Sequence, residues 1–249
     1  MNPLHLLLII PLCIAVLGLY PRGARWLPNV AAAAMVAQLC IVVGLCVPVL
    51  RHPVIMTANY GIDGISAAFL IITTLVVASA LIQAAFLLPA ERDHDASIPE
   101  QRLCFFYTLA GLFMLAMYGV LLAQHLGYAW IAMEATTLLS APLVYYHRTR
   151  HSLEATWKYL LLCSVGIGFA LFGIMLIVAS QQSSGTSSLT FGVLQAHAAS
   201  FDPRLLRLGF IFCVLGFGTK AGLFPLHNWL PDAHSEAPAP ASAMLSGAL

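Results

Sequence analysis

GFGTKAGLFPLHNWLPDAHSEAPAPASAMLSG, residues 216–247, begins as an apolar helix and then fails to continue as one. Lys220 lies in an apolar run near 205–225, where Gly222 and Pro225 interrupt the helical pattern and Pro231, Pro238 and Pro240 prolong the irregularity. Backbone breaks at membrane depth survive only where protein or a water-filled cavity satisfies the freed groups, and discontinuous helices mark ion sites in transporters. The stretch therefore predicts a broken helix around Lys220–Pro231 with a polar site beside it. His227 and His234 titrate near neutral pH and can pass protons. Asp232 and Glu236 are their expected partners, the alternative being that all four cap an exposed loop.

The rest of the chain places this stretch in a bilayer. Of 249 residues, 60% are hydrophobic and 8% charged, against about 25% charged in an ordinary soluble domain. Eleven basic and ten acidic side chains cannot coat a soluble body of this size. A net charge of +1 excludes a basic surface for nucleic acid. A spanning helix needs roughly 20 apolar residues, and seven such runs occur near 4–20, 27–50, 64–89, 103–124, 126–146, 155–180 and 205–225, with an eighth starting near Ala239. None alternates as a membrane β-barrel would. The fold class is all-α, a polytopic transmembrane bundle forming a single domain over 1–249. The eighth run meets Leu249 without a polar flank, so the chain is expected to be the N-terminal part of something longer.

The connections are short. Pro21, Gly23 and Pro28 mark the first, Pro48 and Pro53 the second, the charged segment 89–102 the third and HRTRH (147–151) the fifth. The sixth, from Ser180 to Asp202, is Ser/Gly-rich and expected to carry a short amphipathic piece at 191–200. MNPLHLLLII lacks the basic start of a secretory signal and reads as a retained first span. Short-loop arginines set orientation. With the N-terminus outside, the inner loops hold Arg22, Arg25, Arg92, Arg102, Arg148 and Arg150 and the outer loops Arg51, Arg204 and Arg207.

Against this background, three charges stand out. Lys158 and Lys220 are the only lysines and both fall in apolar runs, and Glu134 lies inside WIAMEATTLLSAPLV (130–144). An ionised group at the bilayer centre costs about 2.5–3.5 kcal/mol on insertion scales, so such groups persist where they pair, meet water or do chemistry. Burial disfavours an ammonium and a nearby carboxylate holds its proton on. A glutamate that moves relative to a lysine therefore switches it between holding and releasing a proton, a task closed to arginine. Lys158 follows Glu154 at i+4, the favourable order for a helix pair, and serves either as a relay site or as an interfacial anchor that snorkels to the headgroups. His125 and His147 read as interfacial. The cysteines Cys13, Cys40, Cys46, Cys104, Cys163 and Cys213 lie in apolar runs without metal-ligand spacing and read as packing residues, with no disulfide and no metal centre expected.

KAGLFPLHNWLPDAHSEAPAPASAMLSG (220–247) resembles the signature of the antiporter-like proton-conducting membrane subunits of complex I, Mrp-type cation/proton antiporters and energy-conserving hydrogenases. WIAMEATTLLSAPLV is similar to that family's glutamate-bearing fifth helix. SLEATWKYLLLCSVGIGFALFG (152–173) is similar to its lysine-bearing sixth, most of all to hydrogenase-4 and formate hydrogenlyase F-type subunits. The resemblance implies that Glu134, Lys158 and Lys220 belong to a proton half-channel in which glutamate and lysine form a charge pair. It implies a fold of about fourteen helices built from two inverted five-helix repeats. This chain then holds three N-terminal helices (1–101) and an incomplete first repeat (102–249).

The implied function is proton translocation in a respiratory-type oxidoreductase of the inner membrane. The chain itself would hold no cofactor, and iron–sulfur, nickel-iron or flavin groups would sit in partner subunits. A Na⁺/H⁺ antiporter subunit or a non-conducting scaffold would use the same charges. Contact with quinone is not decided by Trp130, Trp157 or Trp229, which read as interfacial or packing residues.

Overall fold

The computed structural model describes residues 3–20, 25–50, 59–95, 98–181 and 188–248. Pro21, Arg22, Gly23, Arg51, Pro53, the segment 182–187 and Leu249 lie outside the described residues. The described residues are helical almost throughout: α1 (Pro3–Gly18), α2 (Leu27–Val49), α3 (Gly64–His94), α4 (Glu100–Leu122), α5 (Leu126–Val144), α6 (Arg150–Ser180), α7 (Phe191–His197), α8 (Pro203–Lys220), α9 (Leu230–Glu236) and α10 (Ala239–Ala248). Every apolar run falls on a helix. By length and composition α2, α3, α4 and α6 can each cross a membrane. At 16 residues α1 is short, while α5 is diluted by the polar residues of the site below and α8 by Arg204, Arg207 and Lys220.

The short piece expected at 191–200 is α7 followed by a 3-10 turn, Ala198–Ser200. The charged third connection is shorter than the sequence suggests, because α3 runs through Pro89 to His94. At 1.5 Å per residue its 31 residues measure about 46 Å, more than the roughly 30 Å hydrocarbon core. Its last turns therefore carry Glu91, Arg92 and Asp93 into the polar region as helix.

Small residues let the helices approach closely, the usual basis of packing where lipid removes the hydrophobic drive. Gly166, Ala170 and Gly173 of α6 face Gly209, Cys213 and Gly216 of α8. A Cβ on Gly173 would lie 2.6 Å from the Gly209 carbonyl, and one on Gly216 would run into the Ala170 backbone. The α1–α4 contact is similar, since a Cβ on Gly111 would lie 2.7 Å from the Pro11 carbonyl.

Pro11 cannot donate to the Leu7 carbonyl, and the Gln38 side chain of α2 donates there instead at 2.9 Å. The same amide donates to the Tyr118 hydroxyl (3.3 Å). Thr74 gives its proton to the Leu70 carbonyl (2.6 Å), so Tyr118 donates to Thr74 (2.6 Å). A buried polar chain thereby fastens α1, α2, α4 and α3 together.

At the opposite end from the 147–151 turn, three connections clasp one another. Gln124 N–H donates to the Asn59 carbonyl and Gly61 N–H to Leu122, while Leu126 N–H donates to Leu189 and Phe191 N–H to Gln124. This clasp anchors the start of α5, where His125 caps the helix by accepting from Gly127 N–H at 3.2 Å.

Candidate functional site: a buried lysine held by hydroxyls

Helix α8 stops at Lys220 for identifiable reasons. Gly222 takes the left-handed conformation (φ +70°) that other residues rarely adopt. Leu223 N–H then reaches back to the Gly218 carbonyl (2.9 Å) and Gly222 N–H to Thr219 (3.2 Å), the two bonds of a Schellman cap. The Trp229 indole, buried beneath the break, adds a bond to the Thr219 carbonyl at 2.9 Å. Lys220 is thus the last helical residue, where the negative end of the helix dipole favours a cation.

Lys220 is 3% exposed. It donates to Thr137 Oγ1 at 2.7 Å and to the Tyr159 hydroxyl at 3.2 Å. Ser140 commits its proton to the Thr136 carbonyl (2.6 Å), which leaves Tyr159 as donor to Ser140 at 2.7 Å. The Tyr159 oxygen is therefore free to accept from Lys220. The Trp229 ring lies against Tyr159 with centroids 5.0 Å apart, tying the helix break to the residue that holds the lysine.

Glu134 lies eight residues into α5, about 12 Å along the helix. It accepts a hydrogen bond from Ser164 at 2.8 Å, and its second carboxylate oxygen is buried without a partner. The direct Glu134–Lys220 charge pair that the resemblance implied is not formed: among the described residues no ion pair within 4 Å involves either group. Lys220 reaches Thr137 instead, one helical turn from Glu134 on the same face of α5.

The pairing of acids with histidines is likewise corrected. Asp232 takes Lys158 (2.9 Å), which also pairs with Glu154 of its own helix (2.8 Å). Glu236 lines the same polar cavity of about 120 Å³, with His151 and Ser235. Along α9 positions 232, 235 and 236 share the face toward α6. His234 points elsewhere and meets Ser242 at 2.9 Å. His227 stacks near Phe224, centroids 5.6 Å apart, with its Nδ1 buried and unpartnered. The structure brings Lys158 together with Asp232 and Glu236, and it places His227 and His234 in neither cluster.

Lys158 is half-exposed, and an exposed pair contributes about 0–1 kcal/mol. Asp232→Asn should therefore leave the unfolding temperature within a few degrees of wild type. A larger fall would show that this pair, rather than the cap at Gly222 and Trp229, positions α9.

Thr137, Ser140, Tyr159 and Ser164 were not singled out from sequence. Their signal was present: Glu134, Thr137 and Ser140 recur every three residues on an otherwise apolar helix, a polar stripe of helical period. Of the tryptophans, Trp157 is exposed, whereas Trp130 donates to the Ile167 carbonyl of α6 at 2.8 Å.

These features define a class: a helical membrane protein with a buried lysine at a helix break, held by a threonine one turn along its helix from a glutamate. Residues 123–249 match the family described as NADH:quinone oxidoreductase/Mrp antiporter, transmembrane, and the chain belongs to that family. It is 38% identical over 192 residues to a hydrogenase-4 component F homolog of Methylacidiphilum infernorum, covering 76% of this chain and 40% of that protein. It is 35% identical over 150 residues to NADH-quinone oxidoreductase subunit N of Halorhodospira halophila, covering 57% of this chain and 29% of that one.

Among solved structures it superposes on a chain of the membrane-bound sulfane sulfur reductase, an archaeal respiratory membrane complex. The TM-score is 0.80 at 25% identity, over 98% of this chain and 50% of that one. A chain of respiratory complex I from Thermus thermophilus shares the fold, with TM-score 0.71 at 23% identity, over 99% of this chain and 52% of that one. The chain thus spans about half, or less, of the length of these relatives. The expected family and transmembrane helical fold are borne out.

Proposed function

We propose that this chain forms the first half-channel of a proton-translocating membrane subunit in a respiratory-type oxidoreductase of the hydrogenase-4 or complex I kind. Lys220 is the proton carrier. It alternates between the hydroxyl cradle of Thr137 and Tyr159 and the unpartnered oxygen of Glu134. At the cradle it donates to Thr137 and Tyr159, and the negative end of the α8 dipole favours its charged form. Proton exchange follows when the side chain leaves these acceptors, and the charge state of Glu134 sets when it does. Lys158 with Asp232 and Glu236 forms a charged vestibule on the side of α6 nearer the 147–151 turn. His227 and His234 flank the break on the way out.

The chain sits in the inner membrane with its N-terminus outside. Electron transfer takes place in partner subunits carrying iron–sulfur, nickel-iron or flavin groups, and none is assigned to this chain. The observation that carries this reading is a lysine buried at a helix break on neutral hydroxyls, one of which lies one turn along α5 from a glutamate with a buried, unpartnered oxygen.

The test is proton uptake by vesicles containing the complete assembly, driven by its electron donor. Glu134→Gln should lower the rate about 10²-fold or more, the scale of losing a positioned proton-transfer group, with assembly and electron transfer retained. Loss of assembly with normal uptake per assembled complex would favour a scaffold. Sodium-dependent proton flux without any electron donor would favour an antiporter subunit.

A further inference from the structure

Where α4 begins and α5 ends, a cavity of about 60 Å³ lies among Arg102, Phe105 and Leu109 of α4 and Pro142, Tyr146 and Arg148. Its charged lining residues are both arginines. Two of the buried polar atoms without a hydrogen-bond partner belong to it, the Arg102 Nε and the Tyr146 hydroxyl, and Tyr146 is 5% exposed. Buried donors are rarely left unmet in folded proteins, and two on one cavity point to a missing acceptor. Neither nearby carboxylate lines the cavity: Glu100 pairs with Arg92 at 2.9 Å, and Glu91, 3.9 Å from His147, keeps a buried oxygen without a hydrogen-bond partner. Arg148 keeps a left-handed backbone (φ 56°) where glycine or asparagine would sit more easily.

Arg102 is the third residue of α4, and Arg148 lies between the end of α5 and the start of α6. Both stand where apolar helices end. Phe105 is half-exposed toward the bilayer beside them. We propose that this cavity binds the phosphate of an anionic phospholipid. The Arg102 and Arg148 guanidiniums and the Tyr146 hydroxyl donate to the phosphate, with Phe105 and Leu109 against the upper acyl chain. Basic pockets between transmembrane helices recognise such headgroups. Two cations without an acid on the lining favour a net-negative headgroup over a zwitterionic one. The apolar wall favours a lipid over free phosphate.

The experiment uses the full chain in phosphatidylcholine nanodiscs, with and without phosphatidylglycerol. Lipid retained on gentle release into detergent is counted by native mass spectrometry, and the unfolding temperature is followed. Wild type should retain phosphatidylglycerol over phosphatidylcholine by about five-fold or more. Arg102→Gln with Arg148→Gln should abolish the preference, and Tyr146→Phe should reduce it. Arg148→Gly relieves the left-handed residue. It should therefore unfold at the wild-type temperature or higher, yet lose most of the preference, which separates binding from folding. Equal retention of the two lipids by wild type, or an unchanged preference in Arg148→Gly, would overturn the proposal. So would protection by inorganic phosphate alone equal to that by phosphatidylglycerol, which would mark a free-anion site.

Discussion

Lys220→Met should reduce donor-driven proton uptake by about two orders of magnitude or more, the range over which a lost proton-transfer group acts, while the protein stays folded. Methionine fills the space of the lysine stem and removes the cost of a buried ammonium. Replacing buried charge by an apolar side chain of similar volume is often neutral or stabilising. The unfolding temperature should therefore hold or rise as activity disappears, a combination that a purely structural lysine would not give. Lys220→Arg should be as inactive as Met despite keeping the charge, because a guanidinium does not release its proton in proteins. Uptake by the arginine variant within about three-fold of wild type would remove Lys220 from the proton path and leave it as a fixed electrostatic post. The comparison is made on the complete assembly, with electron transfer measured in the same vesicles.

The largest effect on stability should come from the α6–α8 seam. Overpacking a filled interior commonly costs about 1–3 kcal/mol. At Gly216 and Gly173 the obstruction is backbone, which cannot rotate away as a side chain can. Gly216→Leu or Gly173→Leu should exceed that range by forcing α8 off α6, and with α8 goes the register that brings Lys220 to Tyr159. Gly168 supplies the control: it lies on α6 between the seam positions, and a Cβ there meets nothing within 4 Å. Gly168→Leu should unfold within a degree or two of wild type by thermal melting in detergent, while both seam variants should melt far lower or fail to accumulate. Near-normal melting of Gly216→Leu would mean that the helices separate without loss, and the seam would then not be what fixes the lysine.

The seven apolar runs were legible because a spanning helix needs an unbroken stretch of side chains compatible with lipid. The break was legible because Gly222 and Pro225, with Pro231, Pro238 and Pro240 close behind, weaken the helical pattern together over a short stretch. The site was legible in its charges but not in their partners. Asp232 was matched with histidines by proximity in sequence, yet on α9 it shares a face with Glu236 rather than His234, and that face met Lys158 seventy-four positions away. Pro89 read as an end to α3, but a helix emerging into water tolerates a proline whose lost bond lies near its terminus. The hydroxyls of Thr137, Tyr159 and Ser140 carried a weaker signal still. Serine, threonine and tyrosine are common in such helices, and only the fold shows which ones a buried ammonium has claimed.

Tyr118 and Tyr159 occupy the same kind of bracket. Each phenol hands its proton to a Ser or Thr whose own proton is spent on a backbone carbonyl of its helix, and each thereby turns its oxygen toward a nitrogen donor on another helix. In the first bracket the donor is the Gln38 amide, in the second the Lys220 ammonium. The fold thus uses one fitting twice, as plain joinery among the first four helices and as the seat of a titratable group in the second cluster. The hardware is indifferent to the cargo. Whether a bracket holds a fixed amide or a group able to carry a proton is set by the side chain it receives.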